Sequence, residues 1–219
     1  MTNQADIHAA AGQRRRCYLA VGLAILIFGL LFLRVTPFFW AQLALSVTAL
    51  GGIALAMERG AMRAALRATG GHAAVKTALL GLASAALLYF VFMLGNLTAR
   101  ACFAFGGAEI NAVYGFGATT PRWLVAVLLI LVVGPGEEFF WRGYVQRRLA
   151  AEFGRPGLAA AVLAYGGAHL VTGNLMLILA ALTCGTFWAI LYHRYGSLWI
   201  NMLSHACWAA AIFVFFPVA

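Results

Sequence analysis

The chain has 219 residues, 64% of them hydrophobic and only 10% charged, with a mean hydropathy of +0.91, which is more apolar surface than a soluble core can hide. A net charge of +9 would suit nucleic acid, but the 15 Lys and Arg cluster in alternate connections between apolar runs, where anionic lipid headgroups account for them. A soluble domain and a nucleic-acid binder are set aside, and the fold class expected is an all-α polytopic transmembrane bundle.

At about 20 apolar residues per crossing, about seven spanning helices are predicted, near residues 17–34, 37–57, 77–97, 122–146, 157–173, 175–193 and 197–217. Residues 1–16 precede them and read as a short, disordered cytoplasmic basic tail. No small-residue cleavage site follows the first apolar run, because LFLRVTPFFW leads straight into the next one, so this run is a retained helix and not a signal peptide. Residues 58–76, basic and Ala-rich, predict an amphipathic interfacial helix that breaks at Gly70 and Gly71, with His72 as a solvated loop residue. The connection 98–121 holds Gly106, Gly107, Gly115, Gly117 and Pro121 and is expected to be irregular, with Glu109 as a solvated charge.

Placing the N-terminus inside puts twelve of the 15 basic residues in inner segments and leaves Arg34, Arg100 and Arg122 outside. That bias supports an odd number of crossings with the C-terminus outside. The short loops suggest a bacterial inner-membrane protein. Cys17, Cys102, Cys184 and Cys207 are dispersed and read as apolar core residues, without a disulfide framework.

The fourth apolar run contains an adjacent pair of acids, Glu137 and Glu138, in a chain with only six Asp and Glu. Ionisable groups at membrane depth are costly and mark function. Glu138 and Arg142 are four apart on a helix, acid first, the favourable order for an ion pair. Glu137 lies about 100° round the helix from Glu138, which leaves it as the carboxylate available for chemistry. Pro135, between two glycines, is expected to free the Leu131 carbonyl and to make a locally wettable spot.

Two later apolar runs hold His169 and His205. Counted from the presumed inner face, Glu137, His169 and His205 sit at overlapping depths of roughly 12 to 20 Å, so three titratable groups on three helices are able to converge. Small residues Gly157, Ala161, Ala164 and Gly167 fit helix packing within one chain or between chains.

The sequence GEEFFWRGYVQRRL resembles the Glu-Glu-x-x-x-Arg signature of the CPBP, or Abi, family of intramembrane proteases, which includes the type II CAAX-prenyl endopeptidases. Its Phe-x-x-x-His motif is matched by Tyr165 to His169, with Tyr for Phe, and its third motif by GSLWINMLSHACW, which supplies His205. The resemblance covers about residues 120–212. It implies a helical catalytic core over 120–217 behind N-terminal transmembrane helices at 17–119. In it Glu137 and His169 activate water against a peptide bond of a membrane-associated substrate, and His205 stabilises the oxyanion. It also implies a glutamate mechanism without a cofactor. One departure stands out: the Asn or Asp usually found four residues after the third-motif His is Ala209 here. Asn201, on the same face, is a candidate substitute or a packing group.

Three rivals accompany that reading. Two His and one Glu are also a zinc ligand set, although no His-Glu-x-x-His helix exists. Ala209 favours a non-catalytic scaffold or immunity protein of the same fold. A proton-coupled transporter is the third.

Overall fold

A computed structural model describes residues 4–33, 38–68, 71–116 and 120–218. The expectations that concern Arg34, Gly70 and Gly117 lie outside the described residues. Among the described residues nine helices and one 3₁₀ turn make up the fold, with no strand. They are α1 Gln4–Phe32, α2 Phe39–Met57, α3 Arg59–Arg67, α4 Ala74–Cys102, α5 Gly106–Tyr114, α6 Arg122–Phe153, α7 Arg155–Gly167, α8 Leu175–Tyr195 and α9 Leu198–Phe215. Helix is the expected solution, since lipid offers no partner to backbone N–H and C=O groups. The chain is therefore a multi-pass integral membrane bundle.

Six of these helices have the length and composition to cross a membrane: α1 from Ala11, α2, α4, α6, α8 and α9. The seventh expected crossing, 157–173, is the exception, because α7 has only 13 residues, about 20 Å. The path of the chain explains the difference. Arg14 pairs with Glu152, Glu58 with Arg147 and Arg148, Trp199 with the Leu66 carbonyl, and His72 packs edge-on to Tyr195; these contacts define one basic end. At the other end Asn174 bonds Glu109, Arg122 the Val214 carbonyl, and Phe39 stacks on Phe116. Residues 155–174 run from the first end to the second, helical to Gly167 and then through the 3₁₀ turn Leu170–Thr172. Among the described residues the chain thus passes between the two ends seven times, one pass being only partly helical.

Four local expectations are corrected. The tail expected over 1–16 is helical from Gln4 onward, as an extension of α1. The connection 98–121 is largely regular: α4 runs on to Cys102, and Gly106–Tyr114 is a helix. Glu109 is also a cap, accepting from the Met176 N–H while Asn174 donates to its carbonyl, so a carboxylate sits at the start of α8, where the helix dipole favours negative charge. His72 is half-buried against Tyr195 and not solvated.

The turns have visible causes. Asn174 caps α8 through its side chain to Leu177 N–H, 2.8 Å, and Gly196, at φ 62°, ends it. Gly154, at φ 62°, reverses the chain between α6 and α7, where Pro156 opens the new helix.

Helix α6 is not uniform. The α-helical turn Gly134–Glu138 sits between π-helical stretches Leu129–Val133 and Phe139–Gln146. Gly134 N–H bonds the Leu129 carbonyl, five residues back, so the backbone widens just before Pro135. The glycines flanking Pro135 are filled by protein: a Cβ at Gly134 would stand 2.9 Å from the Ala206 backbone, and one at Gly136 3.0 Å from Val47. These positions serve close helix approach, not the wettable spot expected there.

Gly157 is tighter still, since a Cβ there would meet the Leu149 carbonyl oxygen at 1.9 Å, whereas one at Gly167 meets nothing within 4 Å. Of the small residues of α7, Gly157 therefore packs against the end of α6 in the same chain. Gly157→Ala is expected to lower stability by about 1 to 3 kcal/mol, as overpacking does, and Gly167→Ala to leave it unchanged; thermal unfolding of the two variants in detergent measures both.

Candidate active site

The acids of α6 occupy different surroundings. Glu138 is fully buried and its carboxylate accepts from three donors. Oε1 takes Arg142 Nη1 at 3.1 Å and lies 2.9 Å from His205 Nδ1, while Oε2 takes Asn201 Nδ2 at 3.0 Å. Arg142, 2% exposed, also donates to the Gly185 carbonyl and lies over the rings of Tyr165 and Trp188, at 4.8 and 5.5 Å. Four segments, α6, α7, α8 and α9, are tied together through this one carboxylate and its arginine.

Asn201 has no donor to spare. Its Nδ2 serves both Glu138 and the Trp188 carbonyl, at 3.0 and 2.8 Å, and the residue is fully buried. An amide nitrogen has two hydrogens, so Asn201 is not a stand-in for the donor missing at Ala209; it holds Glu138 in place.

Glu137 has a single hydrogen-bond partner among the described residues, Tyr165, whose hydroxyl donates to Oε2 at 2.9 Å. The same tyrosine accepts through its carbonyl from His169 Nδ1 at 3.0 Å. Tyr165 is thus the bridge between Glu137 and His169, a role that the resemblance to a Phe-x-x-x-His motif does not reveal. Because a carbonyl only accepts, Nδ1 of His169 carries a proton, and Nε2 of the neutral ring is left as an acceptor. Phe28 and Phe32 pack around that ring, with centroids at 6.1 and 5.2 Å.

His205 is oriented from two sides: Nδ1 by Glu138, and the ring face by Trp188, stacked at 3.8 Å with planes 16° apart. Trp188 is itself pinned by its indole N–H to Ser204 Oγ at 3.2 Å. Sequence reading passed over Trp188, since an aromatic residue in an apolar helix gives no sign of facing an imidazole.

Glu137, Tyr165, His169 and His205 all line one cavity of about 460 Å³, and Ala209 contributes a wall without a polar group. The remaining walls are mostly aromatic and aliphatic. Val91, Phe103 and Leu179, on α4, the residue after it and α8, line the cavity and are 38%, 38% and 43% exposed, so it reaches the apolar outer surface between these helices. Its walls come from the last turns of α1, α4 and α9 and the first turns of α2 and α8, the end opposite the basic one. The groups converge, as their overlapping depths allow, and the cavity they line extends toward the less basic end.

The zinc alternative meets a poor fit. Among the described residues no three His, Cys, Asp or Glu side chains gather where they would hold a metal ion.

Removing one partner of a buried ion pair leaves a charge uncompensated. Glu138→Gln is therefore expected to lower stability by about 3 to 5 kcal/mol, whereas Glu137→Gln, which keeps an acceptor for Tyr165, stays close to the parent. Denaturant titration in detergent, followed by tryptophan fluorescence, separates the two.

Comparison with known proteins bears on residues 119–211, which match the family model of Rce1-like type II CAAX prenyl endopeptidases. No curated protein and no solved structure matches the chain.

Proposed function

We propose, from the match of residues 119–211 to the family model of Rce1-like type II CAAX prenyl endopeptidases, that the protein is an intramembrane endopeptidase in which Glu137 is the general base. The observation that carries this reading is the contrast between the two acids. Glu138 is fully engaged by Arg142, His205 and Asn201, while Glu137, on the cavity wall, has among the described residues only the Tyr165 hydroxyl. A carboxylate with a vacant lone pair in a low-dielectric cavity suits general base catalysis.

In this mechanism a water molecule in the cavity gives a proton to Glu137 as its oxygen attacks the peptide carbonyl carbon. His169, an acceptor at Nε2, orients that water. The oxyanion is met by the His205 ring, which Glu138 and Trp188 hold in place. The C–N bond then breaks, and the proton held by Glu137 passes to the leaving amine. Charge stabilisation of this kind is worth most where water is excluded. Tyr165 is a positioning residue: it fixes Glu137 through its hydroxyl and His169 through its carbonyl.

The substrate class is a membrane-associated peptide or protein, consistent with apolar cavity walls that reach the outer surface between α4 and α8. In this reading the basic end is the cytoplasmic one, as the positive-inside bias supports, and the cavity faces the other side of a bacterial inner membrane. One observation favours a second reading, a non-catalytic scaffold of the same fold: Ala209 offers no oxyanion donor, and such a donor is worth about 100- to 1,000-fold in turnover.

Cleavage of a peptide library in liposomes distinguishes them. Wild type is expected to cleave with or without chelator, Glu137→Gln to lose at least about 100-fold, as removal of a general base does, and Tyr165→Phe to lose roughly fivefold, the worth of one hydrogen bond. Chelator sensitivity would instead assign the chemistry to a metal, and folded but inert wild type would favour the scaffold.

A further inference from the structure

At the less basic end the chain turns back on its own cavity. Helix α9 stops at Phe215, Pro217 follows, and Val218 lines the same cavity as Glu137. Proline has no N–H and biases the residue before it to an extended backbone, so the segment needs few partners and finds them in side chains. Tyr89 donates to the Phe216 carbonyl at 2.9 Å, Asn96 Nδ2 to the Val218 carbonyl at 2.6 Å, and Val218 N–H to the Tyr114 hydroxyl at 3.2 Å. Carbonyls two residues apart are thus read from α4, and the intervening proline leaves no donor unpaired.

The receiving groups are built for the task. Arg100 Nε donates to Asn96 Oδ1 at 2.9 Å and its Nη2 to Asn111 Oδ1 at 3.2 Å, which fixes the Asn96 amide with its nitrogen toward Val218. Tyr114, on α5, is partly buried, and burial raises its phenol above the ordinary range, so it keeps its proton and accepts from Val218 as a neutral hydroxyl. Asn96 and Tyr114 line the cavity as well. Side chains that bond only main-chain groups recognise an extended backbone and tolerate variation in sequence.

We propose that Asn96 and Tyr114 form a main-chain-reading subsite at the mouth of the cavity that takes an extended apolar peptide segment, and that Phe216–Val218 fills it in cis until such a segment displaces it. That the displacing segment belongs to a substrate rests on the protease reading; the subsite itself does not.

The test is binding, measured without turnover, on the full chain carrying Glu137→Gln in detergent. The probes are a fluorescein-labelled peptide Phe-Phe-Pro-Val-Ala and the same peptide with N-methylated valine, which removes the donor to Tyr114. Replacing Phe216–Val218 by Gly-Ser-Gly is expected to tighten the first probe at least about tenfold. In that background the N-methylated probe and an added Asn96→Ala are each expected to weaken binding about fivefold, one hydrogen bond's worth. Equal affinity across the set overturns the subsite. Should the replacement variant fold poorly, Val218→Cys, which keeps the backbone contacts, is read by thiol labelling of residue 218 with mass spectrometry: added probe peptide is expected to raise the labelling rate several-fold, and an unchanged rate overturns displacement. A library cleaved normally by the Glu137 protein, with no binding pattern, would overturn the subsite and leave the protease standing; the binding pattern without cleavage would do the reverse.

Discussion

A buried carboxylate that has given up water must recover its solvation from protein, and in this molecule Glu138 does so through Arg142, His205 and Asn201. Through these bonds helices α6, α8 and α9 are committed to one point. Each donor is fixed in turn: Arg142 by the Gly185 carbonyl, Asn201 by the Trp188 carbonyl, and His205 by the face of Trp188. A half-satisfied network of this kind would be worse than an apolar core, so helices α6, α8 and α9 have little freedom to repack. That rigidity is what gives the neighbouring Glu137 a defined position, although Glu137 takes no part in the network.

The shape of α6 follows from the same demand. Gly134 admits the Ala206 backbone, bringing α9 close enough for Asn201 and His205 to reach Glu138. The π-helical turns on either side of Gly134–Glu138 are where the helix departs from ideal register, and such departures frequently occur at functional sites. Local irregularity is here a condition of convergence.

Much of this was legible in the sequence because the signals were strong. Long apolar runs in a chain with six acids gave a helical membrane bundle, and the spacing of Glu138 and Arg142 gave their pairing, since four residues on a helix is a distance. What was not legible depended on through-space partners. Tyr165 reads as a conservative replacement for Phe, yet its hydroxyl is the group that meets Glu137. Asn201 reads as a spare donor until both its hydrogens are seen to be in use. Glu109 looks like a solvated charge because its partner, the start of α8, lies 67 residues away. Depth counted along helices placed the groups near one another, but could not tell toward which end their cavity widens.

The shortness of α7 has a further consequence. Glu137 and His205 stand inside continuous helices, so their positions are inherited from the rigid frame. His169 lies beyond the last helical residue of α7, at the entrance to a single 3₁₀ turn. Its reach is set by a few individual torsions instead of a helical rise. In this chain the distance between the acid and this imidazole is therefore the dimension that small changes in one connection adjust, leaving the ion-pair scaffold untouched.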